Sequence, residues 1–351
     1  MAICNYVRLP GLVDVHVHLR TPGGEHKEDV RSGTAAALAG GFTTILAMPN
    51  TQPPLITLAD FRVAQQRAEA EAHCDVYHFA AASADHTAAL AALGREAVGL
   101  KIYMDQTYGP LRVEGLLTLM SCFRNWPAGK MIAVHAEGAN IAVAIGLAAA
   151  FRRPVHICHV SRKAEIQLIA KAKAQGLPVT CEVTPHHLFL TEADAVRLGP
   201  LGDMRPRLGT QADVDALWAH LDSTVDCIAT DHAPHTLAEK RSSTPPPGVP
   251  GLETALPLML TAVAEGRLGL DRLVALMETN PRRIYGLPAQ PDTWIEVDIG
   301  TPWTIDDQGL QTKCGWSPFS GMVVQGSVHR VQLRGRTVYR EGKTPAVGSP
   351  V

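Results

Sequence analysis

The chain predicts an α/β fold, a (β/α)8 (TIM) barrel with a small β-rich appendage built from its termini. Three observations predict it. Eight short runs rich in β-branched residues alternate with amphipathic stretches, and repeated strand–helix units build a parallel sheet that eight of them can close. Ionisable residues fall at the same end of most of these runs, where a barrel keeps its catalytic groups. Beyond the eighth run the alternation stops, and strand signals separated by glycines take over. The barrel is expected over residues 11–290, and the appendage over 1–10 and 291–351.

The first strand is predicted at Leu12–His18. Strand side chains alternate faces, so Asp14, His16, His18 and Arg20 are expected on one face and Val15, Val17 and Leu19 on the other. Asp14 could then orient an imidazole, and Arg20 could meet an anion. Gly40-Gly41 stops the helix before the second strand, Thr43–Met48, which Asn50 follows. An amphipathic helix over Leu58–Ala72 leads to Val76–Ala81. The fourth strand, Gly99–Tyr103, carries Lys101, and a helix over Glu114–Phe123 follows. Met131–Ala136 contains His135. The apolar run Ile141–Phe151 is too short to span a bilayer and reads as a buried helix flank. Val155–His159 ends on Cys158 and His159. A helix over Ser161–Gln175 has Ser161 as its expected N-cap and Gly176 just past its end. Val179–Val183 carries Glu182, and Cys227–Thr230 leads into Asp231. In the tail, Val328–Leu333 reads as a strand, with Gly321, Gly326 and Gly335 as turn candidates.

Composition narrows the function classes. Hydrophobic residues make up 46% and charged residues 19%, which suits a packed globular enzyme. A net charge of −2 supplies no basic field for nucleic acid or an anionic membrane. Seven cysteines without a Cys-x-x-Cys pair read as reduced thiols in a cytoplasm. Met1 to Pro10 lacks the pattern of a signal peptide.

His16, His18, His135, His159 and Asp231 form a nitrogen- and oxygen-rich donor set suited to zinc or a similar divalent ion. Taken singly, His135 reads as a satisfied core histidine and Lys101 as a buried ion-pair partner. The set argues otherwise, because polar groups in apolar strands are costly unless paired or metal-bound. Five donors exceed the three protein ligands usual at a catalytic ion, so two ions are expected. Two ions need a bridging anion. A lysine in a protein interior can shed its proton, and its neutral amine can take up carbon dioxide to become a carbamate with two oxygens.

Asp14-Val15-His16-Val17-His18-Leu19-Arg20-Thr21-Pro22 resembles the first signature of the dihydroorotases, which are cyclic amidohydrolases. Ala229-Thr230-Asp231-His232-Ala233-Pro234-His235, with Lys240 beyond it, resembles the second. The similarity runs nearly end to end. It is strongest to the dihydroorotase domain of the animal multifunctional pyrimidine-synthesis protein. It implies reversible cyclisation of N-carbamoyl-L-aspartate to L-dihydroorotate by a hydroxide bridging two metals, with Asp231 as general acid and base. It also implies two zinc ions, with a third an open question, and a carboxylated Lys101 joining them. His16, His18 and Asp231 would hold one ion, and His135 and His159 the other. Cys158 and Glu182 are candidate auxiliary ligands. Arg20, Asn50 and His235 would clamp the spared substrate carboxylate, with Arg205 nearby. Asp105–Pro110 would be a lid with Thr107 and Tyr108 at its tip, and the proline-rich loop Arg241–Gly251 would rim the site. A homodimer and association with other pyrimidine-pathway enzymes are further implications. A hydantoinase or allantoinase, and a metal-free scaffold for partner enzymes, are the competing readings.

Overall fold

The structure is a computed structural model that describes residues 5–344. Residues 1–4 and 345–351 of the expected appendage lie outside the described residues. After β1 (Tyr6–Pro10), eight strands form one parallel sheet in chain order. They are β2 (Leu12–Val17), β3 (Phe42–Ala47), β4 (Asp75–Ala81) and β5 (Gly99–Tyr103). Next come β6 (Met131–His135), β7 (Val155–Ile157), β8 (Val179–Val183) and β9 (Cys227–Ile228). The sheet closes where His232, just past β9, bridges Val17 of β2, and the His18 amide donates to the His232 carbonyl at 2.8 Å. The predicted barrel is therefore present, with each of its strands within a few residues of its expected place.

Two apolar layers hold it. Val13, Val15, Leu46, Phe79, Met131 and Cys227 pack inside the barrel, above Tyr285 at its floor. A larger layer, including Val17, Leu38, Ile45, Phe61, Leu100 and Ile169, fills the space between sheet and helices. The expected alternation along β2 fails here. Val13 and Val15 point inward and Val17 and Leu19 outward, because β2 slips register against β3 between Asp14 and Val17. A bulge of this kind re-aims the side chains that follow it.

The helices Leu58–Glu71, Leu116–Asn125 and Ala139–Phe151 lie where expected. Ser161 is not the N-cap of the next helix, Lys163–Ala174. Arg162 holds that position, and the Glu165 carboxylate reaches back to the amides of Ser161, Arg162 and Gly138 at 3.2, 3.1 and 2.8 Å. Gly40 ends the helix Val30–Ala39, and a Cβ there would stand 2.0 Å from the Leu252 carbonyl oxygen.

The appendage is an antiparallel sheet ordered β1-β10-β11-β12, with β10 (Trp294–Thr304), β11 (Val323–Leu333) and β12 (Arg336–Arg340). Arg334 and Gly335 both have positive φ and form the two-residue turn between β11 and β12. Gly326 is not a turn residue. It lies inside β11, and a Cβ there would meet Leu260 of the helix Leu252–Ala264 at 2.4 Å. The long connection from Asp306 to Met322 leaves this sheet and returns to the barrel mouth. Thr312 there donates to Glu28, and the Trp316 indole donates to the His235 carbonyl at 2.7 Å.

Candidate functional site

The site lies at the C-terminal ends of the barrel strands. The bulge in β2 turns His16 inward, and His18 stands just past the strand end. Asp231 follows β9 with φ 46°, a left-handed backbone that swings its carboxylate over the barrel. Asp231 Oδ1 lies 3.3 Å from His16 Nε2 and 3.2 Å from His18 Nε2. The other nitrogen of each ring is occupied. His16 Nδ1 donates to Glu182 Oε1 at 2.5 Å, and His18 Nδ1 donates to Asn50 Oδ1 at 2.7 Å. Both Nε2 atoms therefore present lone pairs toward Asp231.

Lys101 of β5 is fully buried, and none of the ion pairs among the described residues involves it. Its Nζ lies 2.9 Å from Cys158 Sγ and 3.5 Å from His16 Nε2. β7 ends at Ile157, and His159 takes φ 36°, so Cys158 and His159 both face the site despite being neighbours. His159 Nε2 lies 2.9 Å from His135 Nδ1. Glu182 sits beneath, with Oε1 on His16 and the His159 amide (3.2 Å) and Oε2 on His156 Nε2 (3.1 Å). Asp14 does not orient an imidazole. It is bonded to Thr230 and the His16 amide, and Glu182 takes the role expected of it.

Electrostatics favour a cation at this centre. Burial alone would raise the Asp231 pKa, but His16, His18 and His159 outweigh it and hold the carboxyl well below its usual range. Burial pushes His18 down to about 4 and lowers His135 and His159. Burial thus favours neutral rings at His18, His135 and His159 beside an ionised Asp231, and nitrogen lone pairs facing that oxygen suit a cation between them. His159 Nδ1 is buried without a hydrogen-bond partner, and His135 Nε2 faces only the Glu137 carboxylate at 3.5 Å, so the nitrogens that converge, His135 Nδ1 and His159 Nε2, have no partner but each other. Two groups have donor atoms all within 4.8 Å of one another and can hold a metal ion: His16, His18, Asp231 and His16, Cys158, Glu182. The residues fit a metal.

Beside this centre is an anion-sized recess of about 140 Å³, lined by Arg20, Lys27, Asn50 and Tyr108 among others. Arg20, at φ 60°, donates through Nε to the Pro234 carbonyl at 3.1 Å, which fixes its plane. Its Nη2 lies 3.0 Å from His235 Nε2. Burial first, then the charges of Arg20, Lys27 and Lys240, push His235 far below its ordinary pKa, so the ring is neutral. Tyr108 brings the loop after β5 down on this recess, its ring 5.0 Å from that of His235. Thr107 is half-buried beside it. Arg205 is not brought to the clamp, because Asp203 and the Met204 carbonyl hold its guanidinium. Lys240 is buried with its ammonium on the carbonyls of Asp203, Pro246 and Gly248, at 3.1, 3.0 and 3.1 Å. It thereby pins the proline-rich loop that rims the recess.

Three residues of the site, His156, Lys27 and Glu28, escape a reading of motifs, and His232 lies in a motif that assigns it no role. His156 supports Glu182, and strand alternation with Cys158 could have revealed it. Lys27, Glu28 and His232 are buried around the clamp. Lys27 and Glu28 sit in a loop whose sequence carries no periodicity, so only contact reveals them.

A (β/α)8 barrel with donor groups that can hold a metal ion and an Arg20-lined recess at its mouth has the architecture of the cyclic amidohydrolases. Residues 6–105 match the family model described as Dihydro-orotase-like. The chain is 50% identical over 349 residues to the Multifunctional protein CAD of Squalus acanthias, covering 98% of this chain and 16% of that protein. It is 35% identical to a dihydroorotase of Latilactobacillus sakei, covering 95% of this chain and 87% of the relative. Among solved structures, an L-hydantoinase (dihydropyrimidinase) from Arthrobacter aurescens superposes with a TM-score of 0.89 at 26% identity, over 97% of this chain and 86% of that one. An inactive dihydroorotase-like domain of a Chaetomium thermophilum CAD-like multifunctional protein superposes with a TM-score of 0.83 at 28% identity, over 99% and 98%. The chain belongs to the dihydroorotase family. It spans about a sixth of the length of the multifunctional relative. Among the described residues, no helix is long and apolar enough to cross a membrane.

Proposed function

We propose that this chain interconverts N-carbamoyl-L-aspartate and L-dihydroorotate. The observation that carries this reading is the convergence of His16, His18, Lys101, His135, His159 and Asp231 on one centre beside the Arg20 recess. His16, His18 and Asp231 are suited to hold one zinc ion, and His135 and His159 a second. Lys101 lies near His16 and Cys158 without a carboxylate partner, as suits conversion to a bridging carbamate. Bound zinc supplies Lewis-acid activation of water and of the ring carbonyl.

The chain's own residues do the rest. Arg20 is fixed by Pro234 at Nε and by His235 beside Nη2, and its remaining Nη1 and Nη2 N–H groups can take the spared carboxylate as a bidentate pair. Asn50 orients His18, and its position at the recess lets it share that carboxylate. Asp231, ionised, takes a proton from the attacking water and returns it to the leaving nitrogen. Glu182 fixes the His16 tautomer from below. Tyr108 and Thr107 close over the recess and exclude water. Homodimerisation, association with other pyrimidine-pathway enzymes and a cytoplasmic location belong to the same reading.

The likeness to a domain described as inactive favours a second reading, a scaffold without catalysis. Against it stands the full donor set. A hydantoin-type substrate has less need of the Arg20 recess. The test is cyclisation of carbamoyl aspartate and hydrolysis of dihydroorotate by zinc-loaded protein, with Lys101→Ala alongside. Activity in both directions, abolished by Lys101→Ala, is expected. No activity in folded, metal-loaded protein overturns the reading. Ring closure removes one ionised carboxylate and so consumes a proton. The equilibrium ratio of ring to open form should therefore fall as pH rises, and a ratio flat across pH refutes the assigned reaction.

A further inference from the structure

We propose that Lys27 is a positioning residue that latches the loop Asp105–Arg112 shut over the anion recess through the Tyr108 hydroxyl. The inference rests on the reading of Arg20 and His235 as the carboxylate clamp. An ammonium group has three N–H donors and no acceptor. Lys27 Nζ has three acceptors around it: Tyr108 Oη at 3.0 Å, His235 Nδ1 at 3.2 Å and Glu239 Oε1 at 3.1 Å. Two of these belong to the barrel mouth, and the third belongs to the loop. The Tyr108 ring also lies 4.7 Å from the Lys27 ammonium and 5.6 Å from the Arg20 guanidinium, within cation–π range.

The loop is built to swing about fixed ends. At its start, Asp105 takes the Glu137 amide at 2.7 Å and the Asn140 amide group at 2.8 Å. At its end, Arg112 bridges Tyr103, and the Val113 amide donates to the Tyr103 carbonyl at 2.8 Å. Between them, among the described residues, every hydrogen bond that leaves the tip passes through Tyr108. Gly109 follows at φ 102°, with open space where a Cβ would be. Leu111, buried against Ala81 and Tyr103, belongs to the fixed end, so lifting the tip before it breaks the Tyr108 contacts alone, and it leaves a Lys27 N–H directed at the recess while Glu239 and His235 keep the ammonium in place. Lys27 thus ties the state of the lid to the residues that hold the substrate carboxylate.

The test is backbone amide hydrogen exchange on the full chain without ligand, for Lys27→Met, Tyr108→Phe and the double variant, with steady-state kinetics in parallel. Each single variant should speed exchange across Gln106–Arg112 about tenfold, the weight of one hydrogen bond to a charged group. The double variant should match the faster single one, and the helix Leu58–Glu71 should be unchanged. Turnover should fall more than KM rises, since a loosened lid impairs the closed complex. Unchanged exchange in Tyr108→Phe overturns the latch, as do effects of the two substitutions that multiply. If Lys27→Met does not fold, Tyr108→Phe, at the loop tip, decides alone. An active enzyme with an unaltered loop removes the latch and keeps the reaction. A loosened loop in a protein inactive from the start removes the reaction and keeps the latch.

Discussion

Glu182 is the residue on which the donor centre stands. Burial alone would raise its pKa, but His16 and His156 outweigh burial and keep it ionised, with both oxygens engaged from below. An ionised carboxylate only accepts hydrogen bonds, so it fixes the His16 proton on Nδ1 and leaves Nε2 for a metal. Glu182→Gln keeps the shape but turns one acceptor into a donor facing an imidazole. Metal affinity should fall about 10- to 100-fold, the usual cost of losing such a support. Chelator competition measures it, and undiminished affinity would falsify this role. Much of the centre is legible in the chain itself, because His16-Val17-His18 and Thr230-Asp231-His232 carry their chemistry in local spacing. The orientation of these groups is less legible. Arg20, His159 and Asp231 all adopt positive φ, and an alternation rule cannot foresee residues that leave the strand geometry it assumes. Cys158 and His159 face the same way for that reason.

At the scale of elements, the connection Asp306–Met322 belongs by sequence to the appendage and by contact to the site. Glu28, fully buried, gathers the Thr312 hydroxyl, the Lys313 amide at 3.1 Å, the Ser32 hydroxyl and His232 Nε2 at 3.3 Å. His232 in turn accepts the Gly251 amide at 3.1 Å and is the chain neighbour of Asp231. Two residues beyond Gly251, the half-buried Glu253 takes the amides of Gln311 and Thr312 at 2.9 and 3.0 Å. Burial raises its pKa from 4.5 to about 7 despite those two bonds. Folding therefore favours its neutral form. Its favourable contribution is complete below about pH 4.5 and is lost as pH rises through about 7. Glu253→Gln is neutral throughout, so its stability relative to the parent should rise between about pH 5 and pH 8 in urea titrations. Stability curves that stay parallel over that range would refute the assignment. A strap of this kind has no periodicity to read. It is recognisable only once Glu28 and Glu253 are seen to hold it.

Across the whole molecule, the donor centre joins distant parts of the chain. His16 and His18 come with β2, Lys101 with β5, His135 with β6, His159 with the end of β7 and Asp231 with the end of β9. The alternation of strand and helix foretells the barrel. The closure of its ends depends on contacts between β2 and His232, more than two hundred residues apart in sequence. A metal ion at this centre fastens that closure as well as serving chemistry, so metal should raise the stability of the entire barrel. With free zinc about a thousandfold above its dissociation constant, linkage adds about 4 kcal/mol, enough to raise Tm by about 5 °C or more. The sign of the pH dependence follows from the imidazoles. Burial lowers the pKa of His18 to about 4, and it lowers those of His135 and His159. Their neutral forms are favoured on folding, so their contribution is full above about pH 6.5 and is lost as pH falls toward the folded values. Protons also compete with metal for the same nitrogens. The gap in Tm between zinc-loaded and chelator-stripped protein should thus be widest near pH 7 to 8 and close toward about pH 5. Calorimetry of both forms across that range measures it. Equal Tm values at every pH would mean that the converging side chains hold the barrel mouth together by themselves, and that the centre is not a metal site in this chain.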